Sequence, residues 1–441
     1  MTASRLLSVE EALAIVLEAT PEPAQIETVP VEGSLGRVVG DTVRSATALP
    51  PWDNSAMDGY ALRAADTAGA TEERPARLRV VGEVAAGSQP GEAVREGTAV
   101  RIATGAMIPP GADAVVPVEQ TTPVDRAGRP IGPRGREAAG PLPDGCLVHI
   151  EVPPGMSIRA RGSDLAADAP ILAPGRLVGP AEIALAAGSG VGELPVFRRP
   201  RVAVMATGDE VRAPGEPLGP AGIPDANGPG LRALATAAGA EAVSLGIAPD
   251  RLDEAVERLR GILGQVDVCI VSGGVSVGPY DVVRGAFEAI GSVGLWRVAI
   301  QPGKPFAFGV APREGRAPVL LFGLPGNPVS SFVTFELFAR PALRKLAGRS
   351  DLGRAVDRAV LLEPVSKGSG RRAFIRVVAE RMDDGGVARD ASGRVPVRLA
   401  GGQGSHVISA LAAADALAVV PEDVDALPAG AETALWWMDR A

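Results

Sequence analysis

The chain has 441 residues, room for three or four domains of about 100–150 residues each, so a single hydrophobic core is excluded. Its 44 basic and 52 acidic residues leave a net charge of −8, which argues against a nucleic-acid binder that works by neutralising phosphates; an anionic ligand needs a local basic pocket. Two cysteines and two histidines exclude a disulfide framework, a zinc ribbon and a histidine-rich metal centre, so any metal is expected on oxygen ligands.

Ser8 and Glu11 have the spacing of a capping box, and Val9, Leu13, Val16 and Leu17 follow at helical intervals, so the chain opens with an amphipathic helix ending near Pro21. Glu10 and Glu11 fall where a secretory signal would be apolar, and no apolar run approaches the roughly 18 residues of a membrane span. A cytoplasmic protein with no membrane partner is expected. From Trp52 to about Val152 the pattern turns to short β-rich runs, such as Leu78 to Val84 and Ala99 to Ala103, with a Gly/Pro/Arg-rich loop from Asp125 to Gly145. Ala181 to Ala187 restores a helical pattern.

From Arg201 strands and helices alternate: strands at 202–206, 242–247 and 266–271, helices at 231–238, 252–263 and 282–290. This predicts α/β layering around a mainly parallel sheet, whose ligands gather at the carboxyl ends of the strands. After Arg349, short apolar runs with glycine-rich breaks predict a β-barrel or sandwich of about ninety residues.

Six segments carry candidate chemistry. Pro50 to Ala61 reads PPWDNSAMDGYA, with Asp53 and Asp58 in a segment opened by prolines and closed by Gly59; an Asx-turn explains such residues as well as a functional loop does. Ser272-Gly-Gly-Val-Ser-Val-Gly278 joins a buried strand to a helix, so Gly273, Gly274, Ser276 and Gly278 can turn backbone N–H groups toward a phosphate, or serve only as a tight turn. Glu210, in Ala206-Thr-Gly-Asp-Glu210, and Asp281 suit Mg2+, which takes one or two carboxylates plus water and phosphate oxygens. Lys304, fixed between Pro302 and Pro305, is an anion ligand or an exposed turn lysine. Leu324-Pro-Gly-Asn-Pro328 is a rigid turn before a phenylalanine-rich helix. Arg371, Arg372 and Arg376, with Gln403-Gly-Ser-His406, can bind a tetrahedral oxyanion or form a solvated face.

Pro50–Ala61, Arg101-Ile-Ala-Thr-Gly-Ala106, Ala206–Glu210, Ser272–Gly278, Pro302-Gly-Lys-Pro305 and Leu324–Pro328, together and in this order, resemble the molybdopterin molybdenumtransferase family, which includes MoeA and the E domain of gephyrin. The resemblance implies four units: a split helical N-terminal domain (1–51 and 156–197), an inserted β domain (52–155), an α/β domain (198–347) and a C-terminal β-barrel (348–441). It implies insertion of molybdenum from molybdate into adenylated molybdopterin, with Mg2+-dependent release of AMP, in a homodimer whose cleft draws on both subunits. A molybdopterin adenylyltransferase is a candidate partner. Carried over position by position, Asp58, Thr104, Asp164 and Asp250 are catalytic candidates, and Pro325 and Pro328 join the Ser272–Gly278 loop in binding the substrate. Glu210 and Asp281 are the metal candidates, and Lys304, Arg376 and Ser405 the molybdate candidates. Arg297 and Gln301 stand where the family commonly has lysines, which predicts a pocket one charge poorer at Gln301. The rival readings are a molybdopterin adenylyltransferase, which shares only the α/β motifs, and a non-catalytic dimeric scaffold. Molybdate and tungstate share charge and shape, so the residues do not choose between them.

Overall fold

The structure is a computed structural model and describes residues 6–135, 141–274 and 282–438. Helix α1 (Val9–Ala19) begins with the expected capping box: Ser8 Oγ accepts from the Glu11 N–H at 3.0 Å and the Glu11 carboxylate accepts from the Ser8 N–H at 2.8 Å. Its buried stripe of Val9, Ala12 and Val16 packs with Phe335, Phe338 and Leu343 of the central unit. The second N-terminal helix, α2 (Pro180–Gly188), lies in another core with Val31, Val39, Leu194 and Val196. The two halves of the split region are joined by antiparallel strands Ile26–Pro30 and Glu193–Phe197. The chain therefore returns to that region after the insertion, but α1 itself packs with the α/β unit and not with α2.

The insertion holds a six-stranded sheet, ordered Ala114–Pro117, Gly59–Leu62, Thr98–Ile102, Ala76–Val84, Gly145–Val148 and Thr121–Val124. Side chains alternate across it, so Tyr60 and Leu62 enter one core while Ala61, Val100 and Val115 enter another.

The central sheet runs Glu241–Ala248, Arg201–Thr207, Val268–Ser272, Arg316–Leu324, Pro305–Arg313 and Ser292–Arg297. The first four strands are parallel; the last two add antiparallel, so the sheet is mixed. Helices α3 (Asn227–Ala237), α4 (Leu252–Ile262) and α5 (Val282–Ile290) cover it, followed by α6 (Pro328–Thr334), a π-helical turn at Phe335–Ala339, and α7 (Arg340–Leu346). Val202 and Val204 face one core, with α1 and α3, whereas Ala203 and Met205 face the other, with α4 and α5.

In the C-terminal unit, strands Arg372–Ala379, Val395–Leu399, Val356–Leu361, Glu432–Trp437 and Ala416–Val420 pair in turn, and the last closes on the first, making a five-stranded barrel. A short helix, α8 (Ile408–Ala413), precedes the closing strand. Ile300–Gln301 pairs in parallel with Arg372–Ala373 and ties the barrel to the central unit.

Candidate active site

The carboxyl ends of the four parallel strands open into a cleft of about 610 Å3. Its floor is Thr207, Ser272, Gly273 and Gly274, one wall carries Glu210 and Asp250, and Asn227, Pro328 and His406 complete it. Gly273 has φ +106°, and a Cβ there would stand 2.6 Å from Thr207 Oγ1 and 2.7 Å from its carbonyl oxygen, so the two strand ends approach through bare backbone.

Polar side chains fasten the loops around this floor. Asn227 Nδ2 donates to Ser272 Oγ and to the Gly326 carbonyl, both at 2.7 Å. Ser272 Oγ donates to the Pro325 carbonyl at 3.2 Å, and Ser331 Oγ donates to the same carbonyl. Pro328 occupies the first turn of α6, where its missing N–H costs nothing. The Val329 N–H then bonds the Ser405 carbonyl at 3.1 Å, bringing the barrel's 401–406 loop to the cleft.

Negative charge accumulates on the wall. Partial desolvation holds the Asp250 carboxyl above the ordinary aspartate value, and the charges of Asp209 and Glu210 push it the same way. A cation placed among these oxygens relieves the repulsion, and hard carboxylate donors fit Mg2+. Among the described residues no three His, Cys, Asp or Glu side chains converge into a closed metal centre. Asp281, the other metal candidate, lies outside the described residues, as do Ser276 and Gly278.

The inserted domain carries its own constellation. Asp58 Oδ1 accepts from the Thr104 backbone N–H at 2.6 Å and from its hydroxyl at 2.8 Å, and these bonds, the backbone one foremost, hold its carboxyl below the usual aspartate range. Asp53 accepts from the Arg161 N–H at 2.7 Å, so this neighbour ties the 50–61 segment to a stretch 108 residues further along the chain and does not form a local turn. Asp164 is exposed. No described residue of 52–155 lines the rim cleft of its own chain.

The oxyanion candidates separate. Arg297 and Lys304 are exposed near one sheet edge, where Arg297 lies opposite Pro305. Two residues depart from expectation. Arg376 is 1% exposed; its Nη2 donates to the carbonyls of Gly402 and Gly404 at 3.0 and 3.1 Å, while Gln403 bonds its backbone on both sides. It shapes the loop bearing Ser405 and His406 and is not presented to the cleft. Burial also lowers its pKa from the ordinary arginine value. Gln301 Oε1 accepts from the Gly368 N–H at 3.1 Å, so its amide joins the central unit to a barrel loop and is more than a missing charge.

Three family models match most of the chain: the MoeA N-terminal region (domain I and II) residues 7–190, a probable molybdopterin binding domain 203–345, and the MoeA C-terminal region (domain IV) 358–436. Molybdopterin molybdenumtransferase 2 of Mycobacterium tuberculosis H37Rv is 37% identical over 415 residues, 93% of this chain and 94% of that protein. The chain belongs to the molybdopterin molybdenumtransferase family. Another molybdopterin molybdenumtransferase, from Haemophilus influenzae, is 33% identical over 427 residues, covering 96% and 97% of the two chains. The crystal structure of a molybdopterin biosynthesis MoeA protein from Pyrococcus horikoshii superposes with a TM-score of 0.76 at 31% identity, over 98% of this chain and 99% of that one.

Membership of the molybdenumtransferase family accounts for all four units, whereas an adenylyltransferase reading leaves 7–190 and 358–436 unexplained. The fold brings Glu210, Asp250, Ser272, Gly273, Gly274 and Pro328 to one cleft, with Pro325 bonded beneath it. It leaves Asp58 and Thr104 on a separate domain of the same chain. Two cleft residues, Asn227 and His406, escape sequence reasoning as functional candidates. Asn227 follows Asp225, whose Oδ1 caps α3 through the Gly228 N–H at 2.8 Å, so Asp225-Ala-Asn227 reads as a helix start. His406 is visible only as the end of the Gln403–His406 run.

Proposed function

We propose that this molybdenumtransferase inserts molybdenum from molybdate into adenylated molybdopterin and releases AMP in a Mg2+-dependent step. The observation that carries the reading is the rim cleft, where a bare-backbone floor at Gly273 and Gly274 faces the carboxylates of Glu210 and Asp250 within a chain that matches the family along its length. The floor suits phosphate because side chains are absent where backbone must approach it. Glu210 and Asp250 would hold Mg2+, with Asp281 the further candidate. When bound, Mg2+ neutralises and orients the phosphoanhydride. Asn227 and Ser272 keep the Gly326–Pro328 turn at a fixed distance from the floor, which limits the poses of the scissile group. Lys304, Arg297 and the Ser405 hydroxyl would collect molybdate, with Arg376 shaping the loop that carries Ser405.

Asp58 is better suited to recognition than to proton abstraction. Two hydrogen bonds from Thr104 stabilise its ionised form, which makes it a weak base and leaves an acceptor for the N–H groups of a pterin. Since Asp58 and Thr104 do not line the cleft of their own chain, we place them and Asp164 at a partner's cleft in a homodimer. A cytoplasmic setting fits these soluble substrates, and no described helix is long and apolar enough to cross a membrane.

The test is AMP release from adenylated molybdopterin with molybdate and Mg2+ supplied or withheld. Glu210→Gln and Asp250→Asn should each raise the Mg2+ requirement by about tenfold or more, because one unit charge beside a dication is worth on the order of several kcal/mol before desolvation. Release that ignores both molybdate and Mg2+ would sink the assignment. Mixed dimers of Asp58→Ala and Asp250→Ala subunits should recover one working cleft; confirmed heterodimers without activity would return the site to a single chain.

A further inference from the structure

The pole of the central sheet opposite the cleft holds a second cavity, of about 400 Å3. It lies where the parallel strands begin: Arg201 and Arg316 open two of them, and Asp267 directly precedes the strand between. The strand Arg201–Thr207 is 7 residues long and ends on the cleft floor, so the two spaces stand about 20 Å apart. Both crossings between the split domain and the central unit form the cavity wall, Pro21–Gln25 on the outward path and Arg198, Pro200 and Arg201 on the return.

Four arginines and two carboxylates line it, a local excess of positive charge in a chain of net charge −8. Two of the arginines are committed. Arg198 donates through Nε to Gln25 at 2.5 Å, through Nη1 to the Arg199 carbonyl at 2.7 Å and through Nη2 to Asp267 at 2.9 and 3.0 Å. Arg313 donates to the Ala317 and Val266 carbonyls at 2.7 and 2.8 Å and stands 3.7 Å from Asp267. Both acids are answered as well: Asp267 also accepts from the Arg201 N–H at 2.8 Å, and Glu22 pairs with Lys345 at 2.9 Å. The excess therefore resides on the Arg201 and Arg316 guanidiniums. Arg201 reaches Glu241 at 3.4 Å with both side chains more than half exposed, and Arg316 reaches the Gly264 carbonyl at 3.4 Å. Contacts of that length and exposure leave most of their N–H donors unmatched.

We propose that this cavity binds a small polyanion, a di- or tricarboxylate or a phosphorylated metabolite, whose anionic oxygens are gripped between Arg201 and Arg316. The two residues start strands two places apart in the sheet, about 10 Å laterally, which lets two arginine side chains close on one ligand. Each guanidinium fork matches a pair of oxygens, so two forks favour a ligand with two or more charges over a monoanion. The rest of the wall is Pro21, Pro23, Pro200, Pro318 and Leu346, stiff backbone without N–H donors where the prolines stand, so recognition falls on the charged end. An occupant touching both crossings also fixes the angle at which the split domain, and the inserted sheet it carries, leaves the central unit. Without a metal the rim cleft does not compete for such a ligand, because Glu210 and Asp250 repel it.

Calorimetric titration of the full chain in metal-free, low-salt buffer with citrate, pyrophosphate and acetate tests this. Wild type should bind citrate or pyrophosphate about tenfold or more tightly than acetate, and the tighter of the two tells whether carboxylate or phosphate is preferred. Arg316→Glu and Arg201→Gln should each weaken that ligand by about tenfold or more, and added salt should weaken it in wild type. Lys304→Gln, at the cleft end of the sheet, should leave it unchanged. Hydrogen exchange in residues 20–25 and 198–201 should slow when the ligand is added to wild type but not when it is added to Arg316→Glu. Wild type that binds neither polyanion, acetate binding as tight as theirs, affinity that survives both arginine variants, or affinity lost in Lys304→Gln instead would overturn the site. Binding that leaves exchange in both crossings unaltered would overturn its hold on the joint.

Discussion

Two adjacent glycines give a graded test of the cleft floor. At Gly274 φ is +56°, inside the left-handed well that L residues reach at a cost of about 1–2 kcal/mol, and an added Cβ meets Val283 Cγ2 at 3.1 Å, a contact that a side-chain shift of a few tenths of an ångström relieves. At Gly273 φ is +106°, outside that well, and the Cβ would stand 2.6 and 2.7 Å from Thr207 Oγ1 and its carbonyl oxygen. The carbonyl is backbone of a central strand and cannot rotate away, so the 273 loop must move. Strain of about 1–3 kcal/mol plus overpacking of about 1–3 kcal/mol puts Gly273→Ala near 4 kcal/mol, against about 1–2 kcal/mol for Gly274→Ala. A displacement of about 1 Å also takes the floor out of register with a phosphate, a change that costs about 100-fold where geometry is exacting. Urea unfolding of the central unit and titration with AMP would measure both effects. The expected order is wild type, then Gly274→Ala, then Gly273→Ala, with AMP affinity falling most at 273. If Gly273→Ala matches wild type in stability and AMP affinity, close backbone approach is not what the floor provides.

Three further outcomes follow from particular bonds. Arg376→Ala should destabilise the barrel by about 2–4 kcal/mol, because it removes two charged hydrogen bonds to Gly402 and Gly404 and empties a buried volume, offset in part by no longer burying a cation; wild-type stability with only a raised molybdate requirement would restore Arg376 as a direct ligand. Gln301→Lys should not tighten molybdate binding, since it removes the acceptor for the Gly368 N–H and places a cation near Arg371, whose Nη2 lies 2.1 Å from the position a Gly368 Cβ would take; a molybdate titration showing a tenfold gain would refute this. The Asp58 carboxyl has a folded pKa below its unfolded one, so its stabilising contribution is present above the unfolded value and is lost as pH falls through the folded value. The stability margin of wild type over Asp58→Asn should accordingly vanish only in acid below the usual aspartate range, and an NMR titration that finds Asp58 protonating above that range would contradict the Thr104 bonding.

Local signals in the sequence anticipate much of this architecture. The Ser8–Glu11 box defines the start of α1, and apolar runs alternating with helical patterns define three of the four parallel strands, because each of these is a short-range pattern. The mixed edge of the central sheet is harder to see. Residues 292–324 hold several apolar runs with no helix between them to mark a parallel crossover, and the chain doubles back at the Glu314–Gly315 turn, with φ +65° at Gly315, to pair antiparallel. Where α1 docks is a tertiary choice: its small-residue stripe suits either neighbour, and the phenylalanines after Thr334 supply the larger apolar surface.

Side-chain roles follow the same division. Sequence brings Glu210, Asp250 and the 272–274 loop to one rim through the logic of parallel sheets, since every such strand ends on the same side. It cannot tell a presented cation from a structural one. Arg376 sits on the outer face of its strand, opposite Ala373, Ile375 and Val377 of the barrel core, and is buried because the 401–406 loop closes over it, while Lys304, between two prolines on the opposite unit, stays exposed. Both are basic residues in motifs, and what separates them is a loop some 26–28 residues further along the chain whose carbonyls accept from the Arg376 guanidinium. Asn227 is the converse case. Its sequence context advertises a helix cap, yet Asp225 performs the capping and frees the amide to bond Ser272 and Gly326, which come from segments about 45 and 99 residues away. The cleft is therefore held in shape by a residue whose partners only the fold can name, and its geometry depends as much on that amide as on the glycines that make the motif conspicuous.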